Sequence, residues 1–249
     1  MLRSSLSKVF VKPAGFKPWM GVVLPIWVFV GFILAQVIIG LVLYVLPKLG
    51  VSLAGVNEST FQTVISAIIY MCSLLIVIGL PWIVKKYKTS RQEVGLVQPM
   101  AWADILLAPA GFIAYILLSF VLTSIASHFP FYDIEQAQDT GFAQLNQGYE
   151  YLLAFLTLVV IAPVAEEILF RGYLLGKLRK YVPVWAAILV TSLLFGIVHF
   201  AWNVGVDVFA LSIVLCLLRI GTGRLWPSIL LHMLKNGLAF YLLFINPVL

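Results

Sequence analysis

The sequence has few charged residues and few of the arrangements that covalent hydrolases use. Only 10% of its 249 residues are Asp, Glu, Lys or Arg, whereas a soluble domain typically carries about 25%. The two cysteines, Cys72 and Cys216, both lie inside apolar runs, so they predict neither a disulfide nor a redox role. No Ser-His-Asp arrangement favours a covalent route, and neither cysteine has a visible activating partner. The shortage of charge excludes an ordinary soluble domain.

What the sequence has instead is a series of long uncharged apolar runs, with 62% of the residues hydrophobic. Runs of about 20 apolar residues are typical of transmembrane helices, and the short alternating strands of a membrane β-barrel are not visible. We therefore predict an all-α, polytopic transmembrane helix bundle of seven spans, with eight as the alternative, in a single integral-membrane domain over 1–249. The spans are predicted at 21–47, 62–84, 104–127, 150–176, 183–203, 206–220 and 225–246.

The positive charges are distributed unevenly over the predicted loops. If the N-terminus is cytoplasmic, thirteen of the 16 Lys and Arg residues lie at the inner edge, in the N-terminal segment, in 85–91, in 177–180 and at Arg219 and Arg224. This asymmetry follows the positive-inside rule. We expect a multi-pass protein, in the plasma membrane if bacterial, with a cytoplasmic N-terminus and an external 128–149 loop. The basic rim would attract anionic membrane lipid or acidic peptide, and no nucleic-acid partner is expected.

Two adjacent carboxylates, Glu166 and Glu167, lie inside one apolar run together with Arg171. Each ionisable group at bilayer depth costs about 2.5–3.5 kcal/mol even on lenient insertion scales, so a functional site is the default interpretation. Residues four apart share a helix face, which makes Glu167 and Arg171 neighbours and points Glu166 elsewhere. Pro163 removes a backbone hydrogen bond just before the pair and would free carbonyl groups beside the site.

Three further polar side chains, His199, His232 and Asn236, lie at a similar depth on other predicted helices. Counted from the inner surface at about 1.5 Å per residue, they and the glutamates occupy one slab near the midplane. His232 and Asn236 are again four residues apart and share a face. Lys235 either snorkels to the surface or helps to balance the acidic pair. Asp207 is expected to be solvated near the outer end of its helix.

Three short motifs follow one another along the second half of the chain. They are Glu-Glu-x-x-x-Arg from 166, Phe-x-x-x-His from 195 and His-x-x-x-Asn from 232. The pattern resembles the CAAX prenyl protease and bacteriocin-processing (CPBP, Abi) family of intramembrane glutamate proteases, which includes the Ras-converting enzyme. The resemblance covers about 150–240, the predicted catalytic core, and no motif residue is missing. It implies the candidate catalytic residues Glu166, Glu167, His199, His232 and Asn236, with Arg171 and Phe195 as structural support.

The resemblance implies an endopeptidase that works near the cytoplasmic half of the bilayer through water activated by glutamate and histidine. Its substrate would be a membrane-associated peptide, either prenylated and CAAX-like or of the leader or bacteriocin type, reaching the site from the cytoplasmic side or the inner leaflet. A carboxylate and an imidazole can deprotonate water and protonate the leaving amine, and His232 and Asn236 can donate hydrogen bonds to the oxyanion. We hypothesise that Glu166 with His199 activates the water, while Glu167 with Arg171 maintains the helix and the charge balance.

Other functions could use the same residues. Two glutamates and two histidines could hold zinc, but three helices would supply the ligands, no His-Glu-x-x-His core is present, and Arg171 would repel a dication. Hydrolysis without a metal or other cofactor is therefore the favoured mechanism. A non-catalytic membrane scaffold or bacteriocin-immunity protein is an alternative of another class. So is a proton-coupled transporter, although the sequence shows no internal repeat. No pattern specifies an oligomeric state.

Overall fold

The computed structural model describes residues 11–86, 88–130, 132–133, 142 and 145–246. Residues 1–10 and part of the 128–149 loop, which the charge prediction used, lie outside the described residues. Within them, all regular secondary structure is helical, so the prediction of an all-α polytopic bundle is confirmed. The helices are α1 Met20–Leu49, α2 Glu58–Lys85, α3 Arg91–Val94, α4 Trp102–Ala126, α5 Gly148–Leu178, α6 Val184–Ile197, α7 Trp202–Thr222 and α8 Trp226–Ile245.

Six of these helices are long and apolar enough to cross a membrane, and α6 is the shorter apolar one. With 14 residues, α6 rises about 21 Å at 1.5 Å per residue, less than the roughly 30 Å of a bilayer core. The predicted span 183–203 is therefore wrong at its C-terminal end. The chain turns after Ile197, and Phe200 has a φ of 55°, which is unusual for a residue other than glycine and breaks the helix. His199 lies in this turn and not inside a helix.

The C-terminal half of α5 is the most enclosed part of the bundle. Every side chain from 169 to 178 is buried. The largest hydrophobic cluster packs this part of α5 against four other helices, through Val28 of α1, Val77 of α2, Phe195 of α6 and Cys216 of α7. Since α5 also carries the two adjacent glutamates, the site is attached to a helix whose C-terminal half is buried on every side.

Basic side chains meet at one end of the bundle around the short helix α3. The carboxylate of Glu93 pairs with Lys177 at 3.1 Å and also with Lys180. The guanidinium of Arg219 donates to the backbone carbonyl of Glu93 at 2.8 Å. Arg224 pairs with a buried carboxylate of α4 at 2.7 Å. This end of the bundle contains α3, the C-terminal end of α5 and the start of α8. We call it the basic end.

Candidate active site

Glu167 is fully buried and is held by two partners. Its Oε1 accepts from Arg171 Nη1 at 2.8 Å, and the side chains of both residues have 0% exposure. The same oxygen lies 2.9 Å from His232 Nδ1. Because a carboxylate at this depth must be paired to offset its desolvation, Glu167 serves to hold Arg171 from its own helix and His232 from α8. The predicted Glu167–Arg171 contact is confirmed.

Glu166 points in another direction, into a cavity. One of its oxygens accepts from the hydroxyl of Tyr70, on α2, at 2.6 Å. The other lies 3.8 Å from His232 Nε2, and 16% of the Glu166 side chain is exposed. Adjacent helical residues point about 100° apart, which explains why one glutamate enters the core while its neighbour borders open space.

The cavity has a volume of about 290 Å³ and brings together polar groups from α2, α5, α8 and the turn after α6. Four of the five predicted catalytic side chains line it, namely Glu166, His199, His232 and Asn236, whereas Glu167 lies behind it. Lys235, Ser66 and Tyr70 also border it, and apolar residues of α5 and α8 complete the wall. The grouping expected from helix depth alone is therefore present as one shared space.

His199 is oriented by its own turn. Its Nδ1 lies 2.7 Å from the carbonyl oxygen of Phe195, and because a carbonyl can only accept, Nδ1 carries the hydrogen. In the neutral ring, Nε2 then keeps its lone pair and can accept a proton. The turn after α6 thus leaves His199 with one nitrogen anchored and the other available for chemistry.

Asn236 is anchored to a carbonyl that α5 cannot satisfy itself. Residues Leu156–Ile161 are π-helical, so the carbonyl of residue i would pair with the N–H of residue i+5. For Leu158 that residue is Pro163, which has no N–H. The Leu158 carbonyl instead accepts from Asn236 Nδ2 at 2.9 Å. The prediction that Pro163 frees a carbonyl beside the site is confirmed, and one amide hydrogen of Asn236 is left for another acceptor.

Phe195 is the apolar centre of this polar cluster. Its ring centroid lies 5.0 Å from that of His199 and 5.8 Å from that of His232, both edge to face. The guanidinium of Arg171 lies over the same ring at 4.2 Å, a cation–π arrangement that favours a desolvated cation. Phe195 therefore contacts both imidazoles and Arg171, and its role as structural support stays a prediction.

The sequence prediction for Asp207 is only partly right. The residue lies near the start of α7 with 28% of its side chain exposed, but its carboxylate also accepts from Tyr115 at 2.8 Å and from Ser119 at 2.6 Å. Its other oxygen lies 3.8 Å from Lys235 Nζ. The ammonium group of Lys235 therefore balances the negative charge of Asp207 beside the cavity. The sequence alone had left the role of this lysine open.

The sequence analysis missed Tyr70, which borders the cavity. The sequence does hold a signal for it, because Tyr70 follows Ser66 by four residues on an apolar helix and the two therefore share one face.

Metal binding can be judged from the arrangement of possible ligands. Among the residues that the structure describes, no group of three or more His, Cys, Asp and Glu side chains is arranged to hold a metal ion. The imidazole of His232 is instead directed at the two glutamates.

Comparison with known proteins points to the same segment. The sequence model of the type II CAAX prenyl endopeptidase Rce1-like family matches residues 148–238, which include all the motif residues. The segment is similar to the Rce1-like family. The Rce1-like segment runs from the start of α5 into α8. It contains all five predicted catalytic residues, four of which line the cavity, while α2 contributes Tyr70 from outside the segment.

Individual relatives of the Rce1-like segment are bacterial. An uncharacterised 24.3 kDa protein of Escherichia coli is 35% identical over 89 residues, 34% of this chain and 41% of that protein. The membrane-embedded CAAX protease MroQ of Staphylococcus aureus is 30% identical over 94 residues, 35% of this chain and 38% of MroQ. The uncharacterised protein YyaK of Bacillus subtilis is 29% identical over 187 residues, 68% of this chain and 58% of YyaK. The chain thus covers less than two thirds of each relative, and no solved structure matches it significantly.

Proposed function

We propose that this protein is an intramembrane endopeptidase that hydrolyses a peptide bond in a membrane-associated peptide through water activated by Glu166 and His199. One observation carries the proposal. Of two adjacent glutamates, one is buried against Arg171 and His232, and the other faces a polar cavity that both imidazoles border. A carboxylate left partly solvated beside an imidazole with a free lone pair is suited to general-base catalysis.

In this mechanism a water molecule in the cavity attacks the carbonyl carbon of the scissile bond. As the new C–O bond forms, the proton of the water passes to Glu166 or to His199 Nε2. The C–N bond then breaks, and the leaving amine takes up that proton. Tyr70 holds the Glu166 carboxylate at 2.6 Å, so the base is kept in one orientation while it exchanges protons.

His232 and Asn236 stabilise the charge that develops on the carbonyl oxygen. Nδ1 of His232 donates its hydrogen to Glu167, so Nε2 can donate to the substrate oxygen only when the ring is a protonated imidazolium. That cation would pair with the neighbouring carboxylates of Glu166 and Glu167. Asn236 offers the amide hydrogen that Leu158 does not use. Donors that are oriented before the reaction begins are the most effective for an oxyanion.

The substrate class follows from the location of the site in the membrane and from the relatives. MroQ is named a CAAX protease, and a prenylated, CAAX-like peptide is one candidate. A leader or bacteriocin-type peptide with an apolar segment is the other, because either would partition into the bilayer and reach a cavity between helices.

The experiment is cleavage of candidate peptides by the purified protein, followed by mass spectrometry of the products. Wild type and Glu166→Gln are compared in the same detergent. The proposal expects defined product pairs with the wild type and at least about 100-fold slower formation of them with the variant. Equal products from both proteins, or none from the wild type with either peptide class, would contradict the proposal.

A further inference from the structure

One cation borders the cavity without a role in the proposed activation of water. Lys235 lies on α8 between His232 and Asn236, and its side chain lines the same space. Among the described residues that line this space, Lys235 is the one with a permanent positive charge. Because an ammonium group at the depth of the bilayer is costly, a functional role is the default interpretation.

The anion that α7 supplies is too distant from Lys235 for a hydrogen bond. Lys235 Nζ lies 3.8 Å from Asp207 Oδ2, whereas the buried pair of Arg171 and Glu167 is 2.8 Å long. Within the described part of the chain, the ammonium group has no nearer polar partner. Asp207 therefore balances the charge of Lys235 at a distance, and the three N–H donors of the ammonium group are left for another acceptor.

Asp207 is itself held by donors on another helix. Its Oδ1 accepts from the hydroxyl groups of Tyr115 at 2.8 Å and Ser119 at 2.6 Å, both on α4. These two bonds hold the carboxylate against α4 and keep it at its distance from Lys235. An oxyanion inside the cavity can approach the ammonium group more closely, at the 2.7–2.9 Å that is typical of a charge-assisted hydrogen bond.

The cavity wall changes from polar to apolar along α8. It begins with His232, and beyond Asn236 it continues with Ala239 and Leu243. Lys235 lies close to the point where the polar part of the wall ends. A peptide whose negative charge is bound by Lys235 would therefore have its scissile bond beside the polar groups and its apolar side chains against the rest of α8.

The spacing on α8 sets how far this negative charge lies from the scissile bond. Lys235 follows His232 by three residues, so the two are neighbours on the helix surface and are separated by about 4.5 Å along the axis. An extended peptide advances about 3.3–3.6 Å per residue. With His232 at the scissile carbonyl, a group bound by Lys235 lies within about two residues of the bond that is cleaved.

We propose that Lys235 binds a carboxylate of the substrate and thereby selects an apolar peptide with a negative charge within about two residues of the scissile bond. This specificity rests on the proposed function. The carboxylate is either the C-terminal group of the peptide or the side chain of an Asp or Glu residue. Hydrogen bonds between ionised partners are about twice as strong as those between neutral ones, and Asp207 favours the charged form of Lys235 that they require.

Binding of synthetic peptides to the purified full-length protein in detergent tests this proposal. The probes are three N-acetylated tetrapeptides of apolar residues. One has a free C-terminal carboxylate, one has a C-terminal carboxamide, and one has a carboxamide together with a single internal Asp. Dissociation constants are measured by titration calorimetry in the Glu166→Gln background, where cleavage is slow, with protein-free micelles as the blank.

Three variants in this background separate substrate binding from charge balance. Lys235→Met removes the charge and keeps the apolar stem, and Lys235→Arg is the matched control that keeps the charge. The double variant Lys235→Met with Asp207→Asn removes both charges, and its amide oxygen can still accept from Tyr115 and Ser119. It therefore avoids the unpaired carboxylate that Lys235→Met alone leaves behind.

We expect at least one carboxylate probe to bind about 10- to 100-fold more tightly than the neutral probe when Lys235 is present. Lys235→Arg should keep this preference, and Lys235→Met and the double variant should both lose it. A gain with the free C-terminus alone would identify the terminal carboxylate, and a gain with the internal Asp alone would identify an acidic side chain.

Equal affinity for the three probes, or no measurable binding of any, would overturn the proposal. So would a preference that persists in Lys235→Met. A preference that is lost in Lys235→Met but restored in the double variant would also overturn it, because Lys235 would then act only by balancing Asp207.

The proposed function is judged separately, by cleavage of the candidate peptides with Glu166 intact. A preference that depends on Lys235, without cleavage of any peptide, would refute the proposed function alone. Cleavage with kcat/KM values that neither amidation of the peptide carboxylates nor Lys235→Met changes would refute the specificity of Lys235 alone.

Discussion

Replacing Glu167 by Gln would remove the carboxylate that lies between Arg171 and His232 at 2.8 and 2.9 Å. Because the side chains of Glu167 and Arg171 have 0% exposure, the guanidinium would become an uncompensated buried charge. Removing one partner of a buried ion pair typically costs about 3–5 kcal/mol. We therefore expect Glu167→Gln to lower the free energy of unfolding by about that amount and to lose activity through misplacement of His232.

Glu166→Gln should behave in the opposite way. The amide oxygen of the substituted side chain can still accept from Tyr70, and the group faces a cavity instead of a buried cation, so we expect a stability change of about 1 kcal/mol or less. The variant cannot accept a proton from water, and general acid–base groups contribute about 10²–10⁴-fold to rate. Its cleavage rate should fall by at least the lower of these factors.

The two variants are compared with the wild type by unfolding in detergent and by cleavage rate. The control is a double variant, Glu167→Gln with Arg171→Met, which removes both charges and should recover part of the stability lost by Glu167→Gln alone. If Glu166→Gln kept near-full activity while Glu167→Gln was inactive but as stable as the wild type, the roles assigned to the two glutamates would be reversed.

Three further perturbations test other parts of the site. Tyr70→Phe removes the donor to Glu166, so it should lower the free energy of unfolding by about 1.5–3 kcal/mol, the usual contribution of a hydrogen bond to a charged group. It should also lower the cleavage rate because Glu166 is no longer held in one orientation; full activity would contradict this. Treatment with EDTA or 1,10-phenanthroline should leave the activity intact, and inactivation reversed by Zn²⁺ would favour the zinc mechanism. Burial opposes ionisation of Glu93, but hydrogen bonds from Lys180, from a backbone N–H and from Lys177 lower its pKa from 4.5 to about 2. The ionised Glu93 therefore stabilises the fold above pH 4.5, and this contribution is lost as the pH falls towards 2. The melting temperature of the wild type should exceed that of Glu93→Gln at about pH 6 and approach it at about pH 3. A difference in melting temperature that does not change with pH would refute this.

The membrane helices and the site motifs could be predicted because each depends on local sequence. Apolar runs specify spans, a four-residue interval places Glu167 beside Arg171, and Pro163 necessarily leaves a carbonyl without its helical partner. These features follow from helix geometry before any tertiary contact is considered.

The remaining features depend on contacts between distant helices. Tyr70 meets Glu166 across 96 positions of sequence, and Asp207 meets Tyr115 across 92, so no local pattern indicates either pair. The end of α6 was missed for another reason. The run from Pro183 to Asn203 contains no Asp, Glu, Lys or Arg, whereas the turn is produced by the backbone at Phe200, which hydropathy does not register.

A single-turnover cleavage in H₂¹⁸O tests the central claim, direct attack of water activated by Glu166, most directly. The account predicts one ¹⁸O atom in the new C-terminal carboxylate of the product, no ¹⁸O in the Glu166 side chain, and product formation by Glu166→Gln that is slower by at least about 100-fold. Incorporation of ¹⁸O into Glu166 would show that this carboxylate forms a covalent acyl intermediate, and it would contradict the mechanism.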